Sequence, residues 1–218
     1  MDILFASGEA HPLVKTGGLA DVSGSLPRAI KNLKQEIRLI LPAYPVARAN
    51  AGVLKLVNEI SLPGSQRPVR ILHGRLPHTR VQLYLIDAPE YFDRSGGPYS
   101  TPEGKDWPDN AARFALFAQA VCAVAMNQAE LDWKPDLVHI NDWQTGLVPA
   151  LLSRQTERPA TVFTIHNLAY QGLFGWDQFK TLQMPENWWS PDALEFHDNF
   201  SFIKGGLVYS DWITTVSP

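Results

Sequence analysis

Leu137-Val138-His139-Ile140-Asn141-Asp142-Trp143 leads into a helical stretch, Gln144–Arg154, which is followed by Thr161-Val162-Phe163-Thr164-Ile165-His166-Asn167. Leu137–Ile140 and Thr161–Ile165 are short apolar runs with the length and β-branched content of buried strands. The chain between them is long enough for one crossover helix. Strands joined that way lie parallel, with a right-handed crossover. The stretch predicts an α/β fold: a Rossmann-like, mostly parallel sheet flanked by helices. Ligands bind such sheets outside the carboxyl ends of the strands, and both of these strands end in polar side chains.

The same alternation extends outward. Asp2–Ser7 is a compact apolar strand ending in small residues, and a glycine-containing turn, Lys15-Thr16-Gly17-Gly18-Leu19, leads into a helical pattern from Leu19 to Lys34. Pro27 inside that pattern predicts a kink or a break. Ile37–Leu41 reads as a second strand stopped by Pro42-Ala43-Tyr44-Pro45. Val53–Leu62, Val69–Leu76 and Val81–Asp87 follow without helical spacing, which suggests an antiparallel excursion. Ser95 to Pro108 is rich in Gly, Pro and Ser and reads as an exposed loop. Asp109 is placed to cap a largely buried helix running to about Gln128. Phe200–Tyr209 reads as a helix and Trp212–Val216 as a final buried strand. Trp188-Trp189 reads as a surface or interface pair.

Composition narrows the function classes. The 218 residues fit one large α/β domain, and 45% hydrophobic with 19% charged residues argues against disorder. A net charge of −3 supplies no basic field for nucleic acid. Met1–Ser7 has no export pattern. The greasiest run, Phe114 to Met126, falls short of the roughly 20 residues a membrane span needs. The single Cys122 permits no internal disulfide and sits among Ala and Val as an inert core residue. The expectation is a soluble, cytoplasmic protein without nucleic-acid or membrane partners.

Three places carry candidate chemistry. In Lys15-Thr16-Gly17-Gly18-Leu19-Ala20-Asp21, Gly17 and Gly18 let a ligand approach the backbone, the helix start favours an anion, and Lys15 adds a charge suited to a diphosphate. A plain tight turn is the competing reading. At the end of the Leu137 strand, Asp142 either caps the next helix or faces a sugar, with Trp143 offering its ring face to a pyranose. At the end of the Thr161 strand stand His166 and Asn167, with Gln171 close behind. A lone His there is often structural, but two polar strand ends in succession point to a shared cleft. There is no Walker loop, no G-x-G-x-x-G, no G-x-S-x-G, no H-E-x-x-H, no Cys pair and no D-x-D.

The motifs in order add a resemblance. Lys15-Thr16-Gly17-Gly18-Leu19-Ala20-Asp21-Val22 resembles the K-x-G-G-L signature of bacterial glycogen and plant starch synthases. The likeness continues through Leu41-Pro42-Ala43-Tyr44-Pro45, Asp109-Asn110-Ala111-Ala112-Arg113-Phe114, Phe163–Gly172, Ser201–Leu207 and Thr215-Val216-Ser217-Pro218. It implies that residues 1–218 are the N-terminal, acceptor-side half of a glycosyltransferase-B fold, truncated before the nucleotide-binding domain. The implied reaction moves glucose from ADP-glucose to the non-reducing end of an α-1,4-glucan such as glycogen, with retention and without metal or other cofactor. By resemblance, Lys15, Gly17 and Gly18 lie at the donor diphosphate and Asp21 supports that loop. His166 contacts the transferred glucose near its O6, Asp142, Asn167 and Gln171 line the pocket, and Tyr99 approaches the donor. Relatives commonly read H-A-H-D-W where this chain has His139-Ile140-Asn141-Asp142-Trp143, so position 141 is given no acid–base role. Without the second domain's cations, the chain alone is expected to show negligible transfer. The competing readings are a non-catalytic glucan-binding module and a transferase using another nucleotide sugar, such as UDP-glucose.

Overall fold

The computed structural model describes residues 1–216, so Ser217 and Pro218 of the last motif lie outside the described residues. In chain order the elements begin with β1 (Asp2–Ala6), α1 (Gly18–Asn32), β2 (Glu36–Pro42), α2 (Pro45–Asn50), β3 (Lys55–Ile60), β4 (Val69–Arg75) and β5 (Gln82–Asp87). There follow α3 (Pro89–Phe92), α4 (Asn110–Ala125), β6 (Leu137–Asn141), α5 (Leu147–Leu152), β7 (Ala160–Ile165) and β8 (Leu173–Phe174). The last are α6 (Trp176–Thr181), β9 (Glu195–Phe196), β10 (Asn199–Ser201), α7 (Phe202–Tyr209) and β11 (Trp212–Thr215).

One eight-stranded sheet runs β11-β7-β6-β1-β2-β5-β4-β3, and a small second sheet runs β8-β10-β9. The pairs β1–β2, β1–β6, β2–β5, β6–β7 and β7–β11 are parallel. Within that sheet β3–β4 and β4–β5 are antiparallel, as their lack of helical spacing predicted, and the small sheet is antiparallel throughout. The chain leaves β1 toward β2 on one side and later returns to β6 on the other. That reversal is a topological switch point, and it opens a crevice at the carboxyl ends of β1 and β6.

The core explains the sequence pattern. Leu4, Phe5 and Ala6 of β1 and Leu83, Leu85 and Ile86 of β5 have no exposed surface, as buried parallel strands require. Helix α4 is buried on nearly every side, with Phe114, Phe117 and Val121 inaccessible. It also buries Arg113, whose guanidinium donates to Tyr91 O at 2.8 Å and to Pro98 O at 2.9 Å. The two bonds tie α4 to α3 through Tyr91 and to the Gly97-Pro98-Tyr99 loop through Pro98.

Several expectations are corrected. Helix α1 runs unbroken through Pro27, which is itself buried. Asp109 is the N-cap of α4 but makes no capping bond, because both carboxylate oxygens accept from Arg94. The Ser95–Pro108 loop is not simply exposed, since Pro98 is buried against α4. The helix after Asp142 is shorter than Gln144–Arg154: a 3-10 turn at Trp143–Thr145 precedes α5. A Cβ at Gly146 would stand 2.1 Å from Phe202 O, so only glycine lets α7 approach there. Residues Phe200 and Ser201 belong to β10, and Ser201 caps α7. Trp188 is buried and Trp189 packs on Trp176 and Phe179, so they are not a surface pair. Strand β11 is a sheet edge with all four residues exposed, not a buried strand.

Candidate functional site

Ser7-Gly8-Glu9 after β1, Asn141-Asp142 at the end of β6 and His166-Asn167 after β7 meet at the switch point. Glu9, Asp142, His166 and Asn167 of these segments line the floor of a cleft of about 1270 Å³, with Ser7 and Asn141 buried behind them. Thr16, Gly17 and Gly18 make one wall, Tyr99 and Asn110 another, and Asn167, Tyr170, Gln171 and Gly172 a third.

On the first wall, α1 starts at Gly17, which has no side chain to cap it. The first-turn N–H groups of a 15-residue helix are thus left for a ligand, at the positive end of its dipole. A Cβ at Gly18 would meet nothing within 4 Å, so the glycine is not required by internal packing. Lys15 Nζ stands beside this start, 2.7 Å from both carboxylate oxygens of Asp21. Lys15 and Asp21 are about half-exposed, so the pair fixes orientation more than it adds stability. The loop is held from below by Glu9, whose Oε2 accepts from the Thr16 N–H and from Thr16 Oγ1. Burial raises the pKa of Glu9, against the lowering effect of those bonds. Sequence reasoning missed Glu9. The signal was available, because it lies three residues beyond a strand whose end the topology makes a ligand site.

On the floor, Asp142 does not cap a helix. Its Oδ1 accepts from His166 N at 2.7 Å and Asn167 N at 3.4 Å, pinning the β7 loop to the end of β6. Both bonds fall on Oδ1, which leaves Oδ2 for the cleft. Asp142 sits at φ 55°, ψ −175°, a region nearly confined to glycine. Burial raises its pKa, opposed by the backbone bond and the charge of His166. Burial lowers the pKa of His166, and Asp142 partly offsets this. The imidazole Nε2 of His166 lies 3.0 Å from Asn141 Oδ1.

The structure changes the part given to Trp143. Its ring is 8% exposed and packs among Phe114, Phe174, Phe202 and Tyr99. Gly172, at φ 61°, is pressed so close that a Cβ would stand 2.6 Å from Trp143 Cε3. The indole therefore builds the wall, reaching the cleft with only a small part of its surface and presenting little face to a pyranose. Tyr99 is also largely internal, and burial holds its hydroxyl protonated well above the usual range. Asn167 Oδ1 accepts from Ala169 N at 3.0 Å, shaping the turn that carries Gln171. Gly17, Gly18, Tyr99, Asp142, Trp143, His166, Asn167 and Gln171 thus line one cleft, whereas Lys15 and Asp21 stand outside its lining, paired with each other. Cys122 lies apart, with its thiol buried against Val148 O.

His139, on β6 beside this floor, gives a pH prediction. Burial, with a smaller effect of His166, lowers its pKa from 6.5 to about 4. Between those values the unfolded chain takes up a proton that the folded chain refuses. Stability is therefore whole above about pH 6.5 and falls toward pH 4, by up to about 3 kcal/mol. Urea unfolding at pH 7.5 and pH 5 is expected to show about 2 kcal/mol of that loss. His139→Gln is expected to remove most of it, and an unchanged pH slope in the variant would contradict the assignment.

The chain matches the starch synthase catalytic domain family over residues 2–218. It belongs to that family. It is 56% identical to glycogen synthase 2 of Nitrosococcus oceani, over 99% of this chain and 44% of that protein. Identity to the glycogen synthase of Thioalkalivibrio sulfidiphilus is 55%, over 100% of this chain and 45% of that protein. The fold superposes on the catalytic domain of starch synthase IV from Arabidopsis thaliana, bound to ADP and acarbose. That match has a TM-score of 0.84 and 25% identity, over 100% of this chain and 45% of the other. The chain therefore spans about half the length of the curated relatives it matches. Among the described residues, no helix is long and apolar enough to cross a membrane.

Proposed function

We propose that this chain is the N-terminal, acceptor-side half of a glycogen synthase. The reaction is transfer of glucose from ADP-glucose to the non-reducing end of an α-1,4-glucan, with retention, without metal, in the cytoplasm. The observation that carries this reading is one cleft with two chemically distinct ends. The uncapped start of α1, with Gly17 and Gly18 in the cleft and Lys15 next to them in the chain, suits a diphosphate. His166 and Asp142, across the floor, suit a sugar.

In this reading the helix N–H groups and Lys15 take negative charge that grows on the leaving diphosphate. Asp21 keeps Lys15 turned to the loop, and Glu9 keeps the loop in place from beneath. His166 lies where the transferred glucose is held, and Asp142 fixes its backbone. Tyr99, Asn167 and Gln171 shape the pocket around the sugar. The remaining cations and the base readout would come from a second domain, in keeping with coverage of 44–45% of the relatives.

The test is transfer of labelled glucose to glycogen by the complete protein, from ADP-glucose and from UDP-glucose, with a chelator present. Transfer from ADP-glucose supports the reading. Transfer from UDP-glucose alone would reassign the donor, and dependence on added metal would overturn the metal-free assignment. Glycogen binding without transfer from either donor would make the protein a glucan-binding module.

A further inference from the structure

Asn141 ends β6 with its side chain wholly buried. Its amide faces two different environments. Nδ2 donates to Ala6 O at 3.0 Å and lies 3.5 Å from His139 O. Both neighbours are carbonyl oxygens, which only accept, so the amino group must be on that side. The amide oxygen is thereby turned the other way, and it stands 3.0 Å from His166 Nε2. An amide oxygen also only accepts, so the ring nitrogen facing it must carry a hydrogen. Had the ring placed its lone pair there, two acceptors would oppose one another in a buried site, which is costly.

We propose that Asn141 is a positioning residue that fixes His166 as the neutral Nε2–H tautomer, leaving Nδ1 to accept a hydrogen bond from a ligand hydroxyl in the cleft. A neutral imidazole has one N–H and one lone pair, so assigning the first assigns the second. Burial disfavours the doubly protonated ring, although Asp142 draws it partly back. The other titratable groups around this floor are His139 on β6 and Glu9 beyond β1. The ligand chemistry this selects is a sugar hydroxyl that donates to His166, and not a carbonyl or an anion that would need a donor. Asn141 itself moves no proton in this arrangement. The consequence for transfer rests on the reading of His166 as a sugar contact; the tautomer does not.

The experiment is carried out on the complete protein labelled with 15N-histidine. Long-range proton–nitrogen correlation reads both ring nitrogens, and the His166 signals are those lost in His166→Ala. The expected spectrum has a protonated Nε2 and a bare Nδ1 at neutral pH. A proton on Nδ1, or an averaged signal from both tautomers, overturns the proposal. In Asn141→Leu the tautomers are expected to mix, and kcat for transfer to fall about tenfold with KM for ADP-glucose little changed. In Asn141→Asp the oxygen facing Ala6 O and His139 O is expected to carry a proton, so the other oxygen still accepts from the ring and the Nε2–H signal returns. With that acid uncharged, the acid limb of the kcat profile should stay at its wild-type place and kcat should recover. A purely structural role for Asn141 would leave the tautomer unmoved in Asn141→Leu. If the complete protein transfers no glucose at all, the wild-type ring spectrum still decides the tautomer. If it transfers glucose with the wrong tautomer, only this inference falls.

Discussion

His166→Ala in the complete protein is expected to lower kcat for glucosyl transfer from ADP-glucose by about 10²–10³-fold, the usual effect of removing one preorganised polar group from a closed site. Glycogen binding should be retained. The ring sits at the carboxyl end of β7, on the cleft floor, held through its backbone by Asp142 and through Nε2 by Asn141. Its removal should do little to the fold, because the side chain is only partly buried and the pinning bond from Asp142 goes to the backbone N–H, which alanine keeps. The loss should therefore fall on kcat and not on protein yield or glycogen affinity. A variant with near-normal kcat would remove His166 from the reacting centre. A variant that no longer binds glycogen would make it an acceptor contact instead.

Parts of the fold were legible because local pattern and topology agree. The run Leu137–Ile140, the crossover and the run Thr161–Ile165 each have a period or length that only one element satisfies. The three strands without helical spacing likewise announced the β3–β4–β5 antiparallel edge. The β8-β10-β9 sheet was not legible, because strands of two or three residues carry no periodicity. The burial of β11 was misjudged for a related reason. Trp212 and Ile213 are apolar in sequence yet 71% and 50% exposed, and a period-two reading does not tell an edge strand from a central one.

The site was legible where strand ends meet polar residues, and illegible where contacts cross the chain. In sequence Asp142 reads equally as a helix cap, because it precedes a helical run. Its partners, the N–H groups of His166 and Asn167, lie more than twenty residues away. In sequence Trp143 reads as a sugar platform because it follows Asp142, but the rings of Phe174 and Phe202 that pack on it are distant in the chain. Glu9 went unnoticed because its partner Thr16 is reached only after the chain has turned.

A substitution series at Asp142 separates what its backbone costs from what its carboxylate supplies. The φ of 55° with ψ near 180° costs a non-glycine residue about 1–3 kcal/mol. Asp142→Ala keeps that strain and loses the acceptor for His166 N, leaving a buried N–H orphaned at a further cost of about 1–3 kcal/mol. Asp142→Gly loses the same acceptor but relieves the strain, less the extra chain entropy glycine gives up. Glycine should therefore be the more stable of the two by about 1 kcal/mol. Asp142→Asn can keep an oxygen on the His166 N–H and should stay within about 1 kcal/mol of the parent, since burial already disfavours the charge. Activity should follow a different order. Alanine and glycine both release the β7 loop, and displacement of a positioned group by an ångström costs about 10²-fold. Both should lose kcat alike despite their different stabilities. Urea midpoints and kcat measured on the same three proteins decide the matter. If kcat tracks stability, the carboxylate serves the fold alone. If kcat falls equally in alanine and glycine while stability diverges, the strained backbone is the cost of holding His166 where a sugar can meet it.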